Sequence, residues 1–127
     1  MAVFRREVDA CADAAALLAT EHEPGEALAR WMQRYVDFIS AKRGLATALH
    51  SGDPAYDSLP AYLQKQLRPA LQTLLERAAA AGEVRTGVDP DDLLRAAASL
   101  CAPTHGGDPA HARRMVALLM DGLRLNR

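Results

Sequence analysis

The sequence predicts an all-α domain: one helical bundle of five main helices plus one short helix. Three observations predict it. Ala and Leu dominate the apolar residues while aromatic residues make up only 5% of the chain, a composition that suits helices and offers few of the β-branched positions that strands prefer. Apolar residues recur at spacings of three and four through most of the chain. Asp precedes Pro three times, at Asp53-Pro54, Asp89-Pro90 and Asp108-Pro109. An Asp side chain accepts a hydrogen bond from the orphan amides of a first helical turn, and Pro at the first helical position lacks the N–H that would go unused there.

The first helix is expected over about 3–20, where Phe4, Val8, Cys11, Ala15 and Leu18 keep the helical spacing. Glu23-Pro24 followed by Glu26 marks a second start. The helix over 24–41 carries Leu28, Trp31, Met32, Tyr35, Phe38 and Ile39 on one stripe, with Arg30, Gln33, Arg34 and Asp37 opposite. Gly44 ends it, and a short helix at 45–50 stops at Ser51-Gly52. A long helix over about 56–81 follows, with Leu63, Leu67, Leu71, Leu74, Leu75 and Ala78 as its stripe. Pro69 removes a mid-helix hydrogen bond, so a kink is expected near 65–67, and Gly82 closes the helix as a C-cap.

The last two helices, over about 90–102 and 109–125, are apolar on more than one face. Such a helix needs burial on two sides, and a small domain core covers only one. A second copy of the chain is expected on the other, in a four-helix interface. Leu93, Leu94, Ala97, Leu100, Met115, Leu118, Leu119 and Leu123 are its candidate residues. The small residues of 96–99 allow close helix approach. The stretch 103–107, Pro-Thr-His-Gly-Gly, reads as an exposed loop.

At 127 residues the chain matches one domain and can bury a core without disulfides or metal. Its formal net charge of -1 lacks the basic excess of a duplex-binding domain. The pairs Arg5-Arg6, Lys42-Arg43 and Arg113-Arg114 are scattered and read as solvated faces. Cys11 and Cys101 stand far apart, outside any metal or redox pattern. The apolar runs are too short for a membrane span, and the N-terminus has no signal core, so a cytoplasmic location is the default.

No chemistry announces itself. There is no G-x-S-x-G elbow, and no Ser or Cys lies in a nucleophile signature. Cys101 and His105 are four apart, but Pro103 between them argues against a shared helical face. His22 and His50 are isolated, and no metal site or cofactor is expected. The acidic pair Asp91-Asp92 reads as charge at a helix terminus.

Several segments in a fixed order resemble the C-terminal regulatory domain of TetR-family transcriptional regulators. These are PGEALARW at 24–31, GLATAL at 44–49, LLERAAAAGEVRTGVDPDDLL at 74–94 and LLMDGLR at 118–124. The resemblance implies an all-helical domain that forms a homodimer through its last two long helices and holds a small-molecule pocket. It also implies that effector binding respaces two N-terminal helix-turn-helix heads and releases operator DNA. Nothing in this sequence matches such a head. Residues 1–20 resemble the helix that follows it, so no operator binding is expected of this chain itself.

A pocket is expected between the Trp31 helix and the long helix. Ligand sites are mostly apolar with a few polar handles. Trp31, Met32, Tyr35, Phe38, Leu49, Tyr62, Leu67, Leu71, Leu74 and Cys101 are its candidate lining. The Tyr35 and Tyr62 hydroxyls, the Trp31 indole, His50 and Gln66 could serve as handles. The expected function is therefore an effector-sensing, homodimerising regulatory domain of repressor type, binding a small apolar or amphipathic molecule. The alternative is a helical dimerisation or scaffold module without a ligand.

Overall fold

The computed structural model describes residues 2–41, 59–100 and 109–124. Among them run five helices: α1 (Ala2–Glu21), α2 (Pro24–Ala41), α3 (Leu59–Ala80), α4 (Pro90–Leu100) and α5 (Pro109–Leu123). The all-α prediction holds, and α2 has its expected bounds. The expected short helix at 45–50, the loop at 103–107 and the Asp53-Pro54 start lie outside the described residues. The described residues include one isolated β-bridge, between Val84 and Arg124.

The start and stop signals act as their chemistry requires. At α4, the Asp89 carboxylate accepts the Asp91 N–H at 2.9 Å and the Asp89 carbonyl accepts the Leu93 N–H at 3.2 Å. That is an N-cap serving the first turn, and Asp91 and Asp92 put negative charge beside the positive helix end. At the end of α3, Gly82 takes φ 74°, a left-handed value that a Cβ disfavours. Its N–H reaches the Ala79 carbonyl and the Glu83 N–H reaches the Ala78 carbonyl, both at 3.0 Å. These two bonds form the double closure of a Schellman motif. The helix runs unbroken through Pro69.

Helix α2 is the centre of the bundle, packing against all four other helices. Its predicted stripe, from Leu28 through Ile39, is buried. Leu67, Leu71, Leu74, Leu75 and Ala78 of α3 close over it, with Val8, Cys11 and Ala15 of α1 beside them. No charged or polar residue is buried among the described residues. Polar atoms within the core belong to amphipathic rings that reach backbone. Trp31, 0% exposed, donates its indole N–H to the Cys11 carbonyl at 2.8 Å. The Tyr35 hydroxyl donates to the Leu94 carbonyl at 3.3 Å. The two rings stack at 5.8 Å with planes 4° apart. Two adjacent aromatics of one helix thus fasten α1 and α4 to α2.

The turn between α3 and α4 fastens two further helix ends. Glu83 accepts the Gly25 N–H at 2.9 Å, capping the start of α2 from 58 residues away. A Cβ at position 25 would lie 3.3 Å from the Glu83 side chain, so glycine permits this approach. Val84 bridges to Arg124, and the Arg85 N–H donates to the Leu123 carbonyl at 3.0 Å. The Arg85 guanidinium adds a bond to the Gly122 carbonyl at 2.8 Å. The orphan carbonyls at the end of α5 are thereby satisfied by another segment.

If the core is organised on Trp31, Trp31→Ala should cost about 3–5 kcal/mol, as large aromatic truncations do. Trp31→Phe should cost less, about 1–2 kcal/mol, mainly through loss of the indole hydrogen bond. Urea unfolding followed by circular dichroism measures both. A loss under about 1 kcal/mol for Trp31→Ala would show that the core does not depend on this residue.

Candidate functional site

A groove of about 960 Å³ lies where α1 and α5 both pack on α2. It exists because the facing residues are small. Ala10 and Ala14 of α1, Ala29 of α2 and Ala117 of α5 line it, and none fills the space between helices. Leu18, Phe38 and Met120 add larger apolar surface. Leu17 also lines it and is 59% exposed, unusual for so large an apolar side chain.

Charged residues surround this apolar lining. Arg113 of α5 holds Asp37 of α2 with two bonds, Nε to Oδ1 at 2.7 Å and Nη2 to Oδ2 at 2.6 Å. The Gln33 amide donates to the Arg113 carbonyl at 3.1 Å, so α5 is tethered to α2 beside the groove. Arg30 pairs with Glu26 at 2.8 Å, and Arg124 lies 3.9 Å from Asp121. These pairs are solvent-exposed, and each contributes at most about 1 kcal/mol. Their larger effect is to commit Glu26, Asp37 and Asp121, three of the carboxylates that line the groove. Cys11 also lines it; burial pushes its thiol up to about 11, and the nearby Arg34 guanidinium pulls the other way.

A second groove of about 570 Å³ adjoins the first through Glu26, Ala29, Met120 and Arg124, and reaches the turn at Gly82 and Glu83. A third, about 450 Å³, is lined by Leu75, Ala79, Val88 and Pro90 at the α3–α4 corner.

The structure distributes the expected pocket residues unevenly. Trp31, Met32, Tyr35, Leu67, Leu71 and Leu74 are buried core side chains, and none lines any of the three grooves. Phe38 lines the large groove. Tyr62 is half-buried, its hydroxyl donating to Asp9 at 2.7 Å and joining α3 to α1. Leu49 and Cys101 lie outside the described residues. Of the expected handles, the Trp31 and Tyr35 donors are engaged by backbone carbonyls.

The expected dimer residues also divide. Leu93, Leu94 and Ala97 are buried in the protomer's own core, facing α2 and α3, so they offer no free surface to a partner. Leu100, Met115, Leu119 and Leu123 are half-buried, and Leu118 is 64% exposed. Sequence reasoning missed the groove, because Arg30, Gln33, Arg34 and Asp37 read as a plain solvent face. A signal was present in Ala10 and Ala14, two small residues one turn apart on the same helix face. Among the described residues no group of three His, Cys, Asp or Glu could hold a metal, and no helix is long and apolar enough to cross a membrane.

Residues 23–125 match the family of C-terminal domains of SbtR-like transcriptional regulators. The fold is similar to the crystal structure of a TetR transcriptional regulator from Streptomyces coelicolor. That match has a TM-score of 0.72 and 32% sequence identity, and covers 98% of this chain and 71% of that one. No curated protein matches the chain.

The raised Cys11 pKa makes a signed prediction. The folded chain holds a thiol proton that the unfolded chain releases above its ordinary value of 9.0. Stability is therefore undiminished below pH 9 and falls, by on the order of 2 kcal/mol, as pH rises toward about 11. Urea midpoints across that window should drop more for the parent than for Cys11→Ala. In a Cys101→Ser background, Cys11 should resist a disulfide reagent at about pH 8 until the chain unfolds. Rapid labelling of the folded protein would contradict the buried placement.

Proposed function

The chain belongs to the TetR family of transcriptional regulators as a C-terminal domain, and from that premise we propose that it senses a small apolar or amphipathic molecule and pairs with a second copy of itself. It acts in the cytoplasm as the regulatory half of a repressor and does no chemistry of its own. The observation that carries the sensing half is the groove on α1, the helix that resembles the link to a DNA-binding head. A molecule seated there touches α1 on one side and α2 and α5 on the other. Its occupancy favours whichever α1 position gives it better contacts, and that difference in affinity is all a ligand needs to shift a two-state equilibrium. The core between α2 and α3, around Trp31, Tyr35 and Leu71, is a second location for the same effector, one that requires those side chains to repack.

Pairing is supported by the outer face of α5. Met115, Leu118, Leu119 and Gly122 recur at i, i+3, i+4 and i+7, which is one face of a helix. Leu118 is the most exposed large apolar residue of the described chain. Ala96 and Leu100 of α4 are half-buried, and Ala96 and Ser99 are small enough to admit a neighbouring helix. We assign Leu100, Met115, Leu118, Leu119 and Leu123 to the interface, with Leu93, Leu94 and Ala97 holding α4 in place behind it.

Two measurements test this reading. Light scattering at micromolar concentration should give twice the 13.7 kDa chain mass, and Leu118→Arg should return it to one chain. A monomeric parent defeats the pairing claim. For sensing, a library of small apolar and amphipathic molecules is screened by thermal shift. A ligand at about a hundred times its Kd adds about 2.7 kcal/mol and should raise Tm by several degrees. If no member moves Tm, the sensing claim fails and a scaffold dimer replaces it.

A further inference from the structure

Resting on the reading of the α1–α2–α5 groove as a ligand site, we propose that it takes a monoanionic amphiphile of the fatty-acid class, its carboxylate on Arg34 and its chain along the alanine-lined floor. The argument begins with the charges. Among the cations lining the groove, Arg30 is held by Glu26 and Arg124 lies beside Asp121. Arg113, at the edge, is held by both oxygens of Asp37. Arg34 also lines the groove and, among the described residues, has no carboxylate partner. Its guanidinium lies close enough to the Cys11 thiol, at the inner edge of the groove, to act on it. A guanidinium presents a planar fork of N–H donors that matches one carboxylate with two parallel bonds.

The apolar part follows from the floor. From Arg34 back to Glu26 is eight residues of helix, about 12 Å at 1.5 Å per residue. Along that distance the apolar lining is Ala10, Ala14, Ala29, Leu18 and Met120, with Arg30 and Gln33 lining the groove beside it. Leu17 extends the apolar wall outward, where its exposure otherwise lacks an explanation. A single head at one end and an unbranched chain along the rest fit this distribution. A polyanion does not, because the guanidiniums of Arg30, Arg113 and Arg124 are already engaged by or beside carboxylates, leaving Arg34 to meet a single negative charge. A cationic amphiphile places its head against Arg34 itself.

The test is titration of the whole chain with dodecanoate below its micellar concentration, followed by calorimetry and by amide NMR shifts. The amides of Ala10, Ala14, Ala29 and Ala117 should move. Arg34→Gln, a change at an exposed side chain, should weaken dodecanoate at least tenfold and leave the Tm of the free protein unchanged. Dodecanol should bind parent and variant alike, and dodecyltrimethylammonium should bind more weakly than dodecanoate. Ala14→Trp should fill the floor and abolish binding; if that variant fails to fold, Arg34→Gln still decides. Equal dodecanoate affinity in Arg34→Gln overturns the proposal, as does equal affinity for the cationic amphiphile. Shifts confined to Leu71 and Leu74 overturn it while leaving effector sensing in place at the core. If another library ligand moves the groove amides and ignores Arg34→Gln, the groove reading survives and the anionic class falls. If nothing of any class occupies the groove, the groove reading and this proposal fail together.

Discussion

The fold depends on one helix having to satisfy four neighbours. Helix α2 is amphipathic enough to be half-solvated, yet it packs on α1, α3, α4 and α5. Purely apolar side chains could fill that centre, but they would not fix how the neighbours are placed, because dispersion and hydrophobic burial are non-directional. Trp31 and Tyr35 add direction. Each buries a large ring and spends its polar tip on a backbone carbonyl of a different helix, Cys11 in α1 and Leu94 in α4. Helical carbonyls already bond within their helix, and each has a second lone pair to offer. The indole N–H therefore finds a partner in an apolar interior with no charged or polar residue among its described members.

The turn after α3 adds a second constraint, at the ends of helices and not at their middles. Three consecutive residues act on two of them: Glu83 on the first turn of α2, Val84 and Arg85 on the last turn of α5. These are the positions where a helix has unsatisfied backbone groups. With Arg113 and Asp37 tying the first turns of α5 to α2, α5 is held near both ends. The groove owes its shape to this. Its α5 wall is anchored, and its α2 floor is the bundle centre.

Much of this was legible in the residues, for local reasons. Asp89-Pro90 and Gly82 act within a few residues of themselves, so their chemistry is readable without a fold. The α2 stripe was legible because its polar and apolar faces are cleanly separated. Helix α4 was harder. It is apolar over most of its circumference, and periodicity states that two faces need cover without stating which meets the core. The core claims Leu93, Leu94 and Ala97, leaving Leu100 half-buried and Leu118 of α5 exposed. The Glu83–Gly25 cap was illegible because it joins residues 58 apart. The groove was illegible because it is made by what α1 and α5 lack; four alanines on three helices become a feature only once the helices are set side by side.

The position of the α1 ties decides what a ligand in the groove could do. Trp31 holds α1 at Cys11, and Tyr62 holds it at Asp9, both near the middle of a twenty-residue helix. The groove touches α1 at Ala10, Ala14, Leu17 and Leu18, the pivot and the half beyond it. A rod pinned at its middle and pushed on one half tilts; it does not slide. On the proposed reading, a molecule that moves the Leu17 end away from α5 therefore swings the Ala2 end the opposite way. The Ala2 end is the end that resembles the connection to a DNA-binding head. The two central hydrogen bonds, one buried at Cys11 and one exposed at Asp9, are what would make α1 a lever on that reading.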